Sequence, residues 1–134
     1  MALITSSEYG LVAVNNSVLC KLIIDDMLSM GTELVPCNKK GKPLRKGFFT
    51  GYNEFYNSVE LNDDQDGIKV KVYFVLQADC KPEETADKLF NLIEADFETL
   101  CLDPPVRQIA NIKGTIVDRS VDLSNQEVVR THDA

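Results

Sequence analysis

A chain of 134 residues, 44% hydrophobic and 26% charged, is long enough for one domain around one core. Its net charge of −7 argues against general binding to nucleic acid phosphates, and no window approaches the roughly 18–20 uninterrupted apolar residues of a membrane-spanning helix. Cys20, Cys37, Cys80 and Cys101 are too widely spaced for a zinc or redox motif, and His132 is the lone histidine. No catalytic residue, metal site or cofactor is assigned, and the expectation is a protein that is not an enzyme.

The opening Met1-Ala-Leu-Ile-Thr-Ser-Ser-Glu8 has no basic residue ahead of its apolar run and no cleavage pattern after it. That argues against a signal peptide and for a cytoplasmic chain. Tyr9–Val14 alternates like a short strand. Asn15, Asn16 and Ser17 are capping residues for a helix with Val18, Leu19, Leu22, Ile23, Met27 and Met30 on its apolar face, and Gly31 ends it. Asp25 and Asp26 are adjacent, hence about 100° apart on a helix, and read as a solvated face rather than a ligand pair. Cys20 and Cys101 fall near apolar helix faces and read as small buried hydrophobes.

Residues 32–51 read as a long loop, broken by Pro36, Gly41, Pro43, Gly47 and Gly51. It holds Lys39, Lys40, Lys42, Arg45 and Lys46 with no acid among them, followed by Phe48, Phe49 and Tyr52. This local reversal of charge in an acidic chain is the candidate contact surface for a partner or an anion. Two other readings stand beside it. One is a solvated lysine loop whose aromatics belong to the core. The other is a nucleic-acid or ribosome-associated module that uses residues 39–56 for charge and stacking, with the global charge against it.

Phe55–Leu61 alternates as a strand with Phe55, Val59 and Leu61 inward, and Asp66-Gly67 signals a hairpin. Asp64, Asp66 and Gly67 also resemble part of a calcium loop. That pattern fails where it needs aspartate and has Asn62, and where it needs glutamate and has Tyr73. Ile68–Leu76 follows as the central strand. Ile68, Val70, Val72, Phe74 and Leu76 share one face, with Lys69 and Lys71 on the other. Pro82 opens a second helix with Ala86, Leu89, Phe90, Ile93, Phe97 and Leu100 in one stripe, and Asp103-Pro-Pro105 stops it. Val106–Val117 reads as a strand. The predicted order is strand-helix-strand-strand-helix-strand, an α+β two-layer sandwich with helices on one face of a small mixed sheet. Residues 1–118 form the domain, and 119–134 a polar tail.

Tyr9-Gly-Leu-Val-Ala-Val-x-x-x-Val18 before an apolar helix resembles the opening of the bacterial alkaline shock protein family. So do the hairpin at Asp66-Gly67, the run Val70–Leu76, Glu84-Thr-Ala86 with Leu89 and Ile93, and the closing Val106-x-x-Ile109-x-x-Ile112-x-Gly114. The resemblance spans roughly residues 8–117. It departs at Gln77-Ala78 and at Leu100-Cys-Leu-Asp-Pro-Pro105, which marks a divergent member. It implies a non-enzymatic scaffold linked to cell-envelope stress or homeostasis. Such a protein self-associates as a homo-oligomer and is held at the membrane periphery by a protein partner, without inserting itself. The family has no active site to carry over.

Overall fold

The computed structural model describes residues 8–44 and 52–132. Along the chain lie α1 (Glu8–Ser29), β1 (Leu34–Pro36) and a short helix α2 (Tyr52–Phe55) that tightens into a 3-10 turn over Tyr56–Ser58. Then come β2 (Val59–Asp64), β3 (Gly67–Leu76), α3 (Pro82–Thr99), β4 (Arg107–Val117) and β5 (Ser120–Thr131). The fold is α+β with a mixed five-stranded sheet. β3 and β4 run parallel, joined by α3, and every other pairing is antiparallel. β1 and β2 lie end to end along one edge of β3, with β1 opposite Phe74–Leu76 and β2 opposite Gly67–Val72. β5 forms the other edge, against β4.

The alternation of β3 places its side chains as expected. Ile68, Val70, Val72, Phe74 and Leu76 join Ala110 and Ile112 of β4 beneath the helices. They meet Leu19, Ile23, Ile24 and Met27 of α1 and Ala86, Leu89, Phe90, Ile93 and Phe97 of α3, all fully buried. The other face has its own small apolar cluster of Val35, Cys37, Tyr73, Val75 and Ile116. β3 is therefore buried on both sides over Val72–Leu76.

Four elements differ from the sequence reading. Leu34–Pro36, inside the expected loop 32–51, is strand β1, held by pairing with Phe74–Leu76. Tyr9–Val14 is the first part of α1, not a strand. Once Leu19, Ile23 and Met27 anchor a helix in the core, extending it toward the N-terminus adds a hydrogen bond per residue without a new nucleus. Phe55 is no strand residue either. It closes α2 as a fully buried anchor, and the strand begins at Val59. Finally, Ser120–Thr131 is strand β5 rather than a tail. Its polarity is that of an edge strand, while Val128 packs against the core. Arg130 ties it to α3, donating to Glu94 Oε2 and Asn91 Oδ1 at 2.8 Å each and to Asp87 Oδ1 at 3.3 Å, with its guanidinium over the Phe90 ring. Cys101, expected to be buried, is exposed with φ +58 just beyond α3, because the turn toward Asp103-Pro-Pro105 swings it off the helix stripe.

Asp26 is also not simply solvated. It faces Asp96 where α1 meets α3, and one oxygen of each carboxyl is buried without another hydrogen-bond partner. Loss of water, the hydrogen bond with Asp96 and the nearby charges of Asp96 and Asp25 push the Asp26 carboxyl up from 3.8 to about 8. The folded protein thus keeps a proton that the unfolded chain releases near 3.8, so stability falls as pH rises between about 4 and about 8. Asp26 is only half-buried, and solvent screening reduces the cost at pH 8.5 to about 1–2 kcal/mol. Asp26→Asn, whose amide donates to Asp96 at any pH, is expected to raise Tm at pH 8.5 and to flatten the dependence of Tm on pH. Melts of both proteins from pH 5 to 9 check this, and parallel curves would refute it.

Candidate functional site

The described part of the predicted basic loop is an ordered tongue. Asn38 builds its tip. Its side-chain Oδ1 accepts from the backbone N–H of Lys40 at 2.9 Å and of Lys42 at 3.0 Å, and its own N–H donates to Lys42 O at 3.0 Å. Short polar side chains form such turns because they mimic a backbone acceptor. Cys37 and Pro43 bridge the two arms, Leu44 N–H donates to Pro36 O at 2.8 Å, and Cys37 N–H continues the sheet by donating to Tyr73 O at 3.0 Å.

The tongue lies over the sheet face turned away from the helices. Gly41, at φ +88, is pressed so closely there that a Cβ would stand 2.8 Å from Leu123 Cδ2 and 3.3 Å from Lys113 Cβ. Its placement brings the loop cations to the cations of the strands. Tyr73 is 4% exposed at the centre, with the ammonium groups of Lys71 and Lys113 at 5.4 and 5.8 Å from its ring centroid. Its hydroxyl donates to Glu60 Oε1 at 3.1 Å, and Lys39 pairs with the same carboxylate. Lys39, assisted by Tyr73 and Lys71, holds the Glu60 carboxyl below its usual value against a smaller opposing effect of burial. Burial first, and then the Glu60 charge and hydrogen bond, push the Tyr73 phenol up to about 12. Lys42 lines a groove beside the tongue with Arg119, Ser120 and Asp118 of the β4–β5 turn and with Val121.

Of the candidate residues, Lys39, Lys40 and Lys42 are exposed on this tongue. Lys39 is occupied by Glu60, while Lys40 and Lys42 point their charge outward. Arg45, Lys46, Phe48 and Phe49 lie outside the described residues, and Tyr52 opens α2, away from the tongue tip in sequence. Sequence reasoning missed Lys71, Tyr73 and Lys113. The placement of Lys69 and Lys71 on the outward face of β3 was the available signal. Lys113 carried none, since a bulge displaces it between Ile112 and Gly114.

Charge is divided between the two layers. The outer sheet face and tongue carry Lys39, Lys40, Lys42, Lys69, Lys71, Arg107 and Lys113 against Glu60 and Glu127. The helix layer carries Glu83, Glu84, Asp87, Glu94 and Glu98 on α3 and Asp25 on α1, against Lys21, Lys81 and Lys88. Among the described residues, no group of three or more His, Cys, Asp or Glu could hold a metal ion, and no helix is long and apolar enough to cross a membrane. No protein-family model matches the chain, and no curated protein or solved structure does so either.

Proposed function

We propose that this chain is a non-enzymatic interaction protein of the alkaline shock kind, and that its outer sheet face docks an acidic segment of a protein partner. The observation that carries this reading is the placement of the tongue. It joins Lys40 and Lys42 to Lys71 and Lys113 in one basic surface on a chain of net charge −7. A basic surface steers oppositely charged partners toward it. Protein is favoured over nucleic acid because, among the described residues, the ring at the centre of this face is Tyr73, which lies beneath two lysines and is not free to stack on a base. Glu60 and Glu127 among the cations oppose a continuous phosphate backbone as well. The link to the cell envelope rests on the family resemblance, with the partner supplying the hold on the membrane.

Lys40→Gln, Lys42→Gln, Lys71→Gln and Lys113→Gln combined should abolish partner capture from lysate while leaving the circular dichroism spectrum unchanged. Capture by the unaltered protein should fall by roughly 10-fold or more between low and physiological salt, as screening predicts, and survive nuclease. Capture that is indifferent to the four changes would overturn the reading. Bound material lost on nuclease treatment would transfer the face to nucleic acid.

A further inference from the structure

We infer that β5 pairs antiparallel with β5 of a second copy, about a two-fold axis through Gln126, making one sheet continuous through both chains. β5 has twelve residues, and among the described residues nothing pairs with its outer edge. A long free edge is a template for another strand, and natural proteins blunt such edges with proline, lysine or short length. β5 has neither proline nor lysine, and its charges, Asp122, Glu127 and Arg130, are of both signs and so do not bar it from pairing with itself. It exposes two large apolar side chains instead, Leu123 at 65% and Val129 at 42%.

The partner is a second copy because β5 complements itself. A two-fold axis perpendicular to the sheet keeps each face continuous, so only residues on the same face can oppose each other. Val121, Leu123, Glu127 and Val129 share the outer face, since Val121 opposes Ile116 and Glu127 opposes Asn111. Asp122, Gln126, Val128 and Arg130 share the helix side. Two registers of this kind use nearly the whole strand. Centring on Asn125 would set Val121 against Val129, but also Leu123 against Glu127 and Asp122 against Val128, placing a charge beside an apolar side chain at two positions on each side of the axis. Centring on Gln126 sets Leu123 against Val129 and Asp122 against Arg130, each twice by symmetry. Opposite charges and apolar pairs directly across an antiparallel ladder both stabilise it. Arg130 can accept this neighbour because its side chain is still 30% exposed beside Asp87 and Glu94. The pairing leaves both basic faces on one side of the joined sheet, free of the contact. It is independent of the partner-binding reading.

Sedimentation of the full chain at tens of micromolar should give twice its 15.0 kDa mass. Asp122→Arg, an exposed position on the helix side of β5, sets like charges against Arg130 twice and should weaken the dimer by roughly 10-fold or more while leaving the thermal melt of the monomer intact. The register is read by cross-linking in a Cys101→Ser background, which removes the exposed native thiol. Gln126→Cys faces itself across the axis and should form an interchain disulfide on mild oxidation. Asn125→Cys should not do so alone, but should when mixed with Glu127→Cys. A monomeric chain, a dimer indifferent to Asp122→Arg, or Asn125→Cys cross-linking as well as Gln126→Cys would each overturn the proposal. The four-lysine variant should remain dimeric and Asp122→Arg, on the other side of the sheet, should still capture the partner, so failure of one reading is separable from failure of the other.

Discussion

Phe74→Ala is expected to destabilise the protein by about 3–5 kcal/mol, the usual range for deleting a fully buried aromatic ring. Phe74 sits near the C-terminal end of β3, fully buried, with Pro36 opposite on one side and Ile112 on the other. Its ring belongs to the cluster shared by α1, α3 and the sheet, so no single element can move to fill the space left behind. Neighbours on three sides resist collapse, and the cavity term adds to the lost transfer free energy. Since a domain of this size has about 5–15 kcal/mol in total, the variant should be marginal. Urea unfolding should show a much lower midpoint with an unchanged slope. A loss under about 1 kcal/mol would mean that the helices do not pack on this face as described.

Gly114→Ala is expected to cost about 2–3 kcal/mol, far more than the usual effect of one added methyl group. The cause is steric. A Cβ on Gly114 would lie 2.6 Å from the backbone oxygen of Asp122 and 2.7 Å from Val121 Cγ1. A backbone oxygen cannot swing aside like the end of a long side chain. Relief requires separating β4 from β5 where Gly114 opposes Leu123 and Thr115 opposes Asp122. The damage should be directional. Amide exchange in Ser120–Leu123 should accelerate strongly, while that of β2 and β3 should change little. Uniform acceleration across the sheet, or no change in melting temperature, would contradict this account.

The parts of the fold that were legible are those where local pattern and burial agree. Ile68–Leu76 alternates, and the Pro82–Thr99 stripe repeats at helical spacing, because each buries one well-defined face. Tyr9–Val14 satisfied strand alternation equally well, and only the anchorage of its continuation in the core made it helix. β5 escaped notice because its apolar residues divide between faces, Val121, Leu123 and Val129 outward and Val128 inward, on a strand exposed along most of its length. The candidate site was half legible. The lysines of the tongue stand out in an acidic sequence, and Asn38 was there to shape it. Their association with Lys71, Tyr73 and Lys113 depends on sheet register and a bulge, neither of which leaves a local trace. The same holds for Asp26, whose partner Asp96 is distant in the chain.

The shortest strand has a protective role out of proportion to its length. Val72-Tyr-Phe-Val-Leu76 is uncharged, β-branched and aromatic, and free of proline and glycine, the composition of segments that stack into amyloid spines. It is harmless while both its edges and both its faces are occupied. β4 covers one edge throughout, but the other edge at Phe74–Leu76 is closed by β1 alone, over three residues. Detachment of Leu34–Pro36 would uncover an adhesive strand without unfolding the rest, so the resistance of this protein to aggregation is set by its weakest pairing rather than by its overall stability.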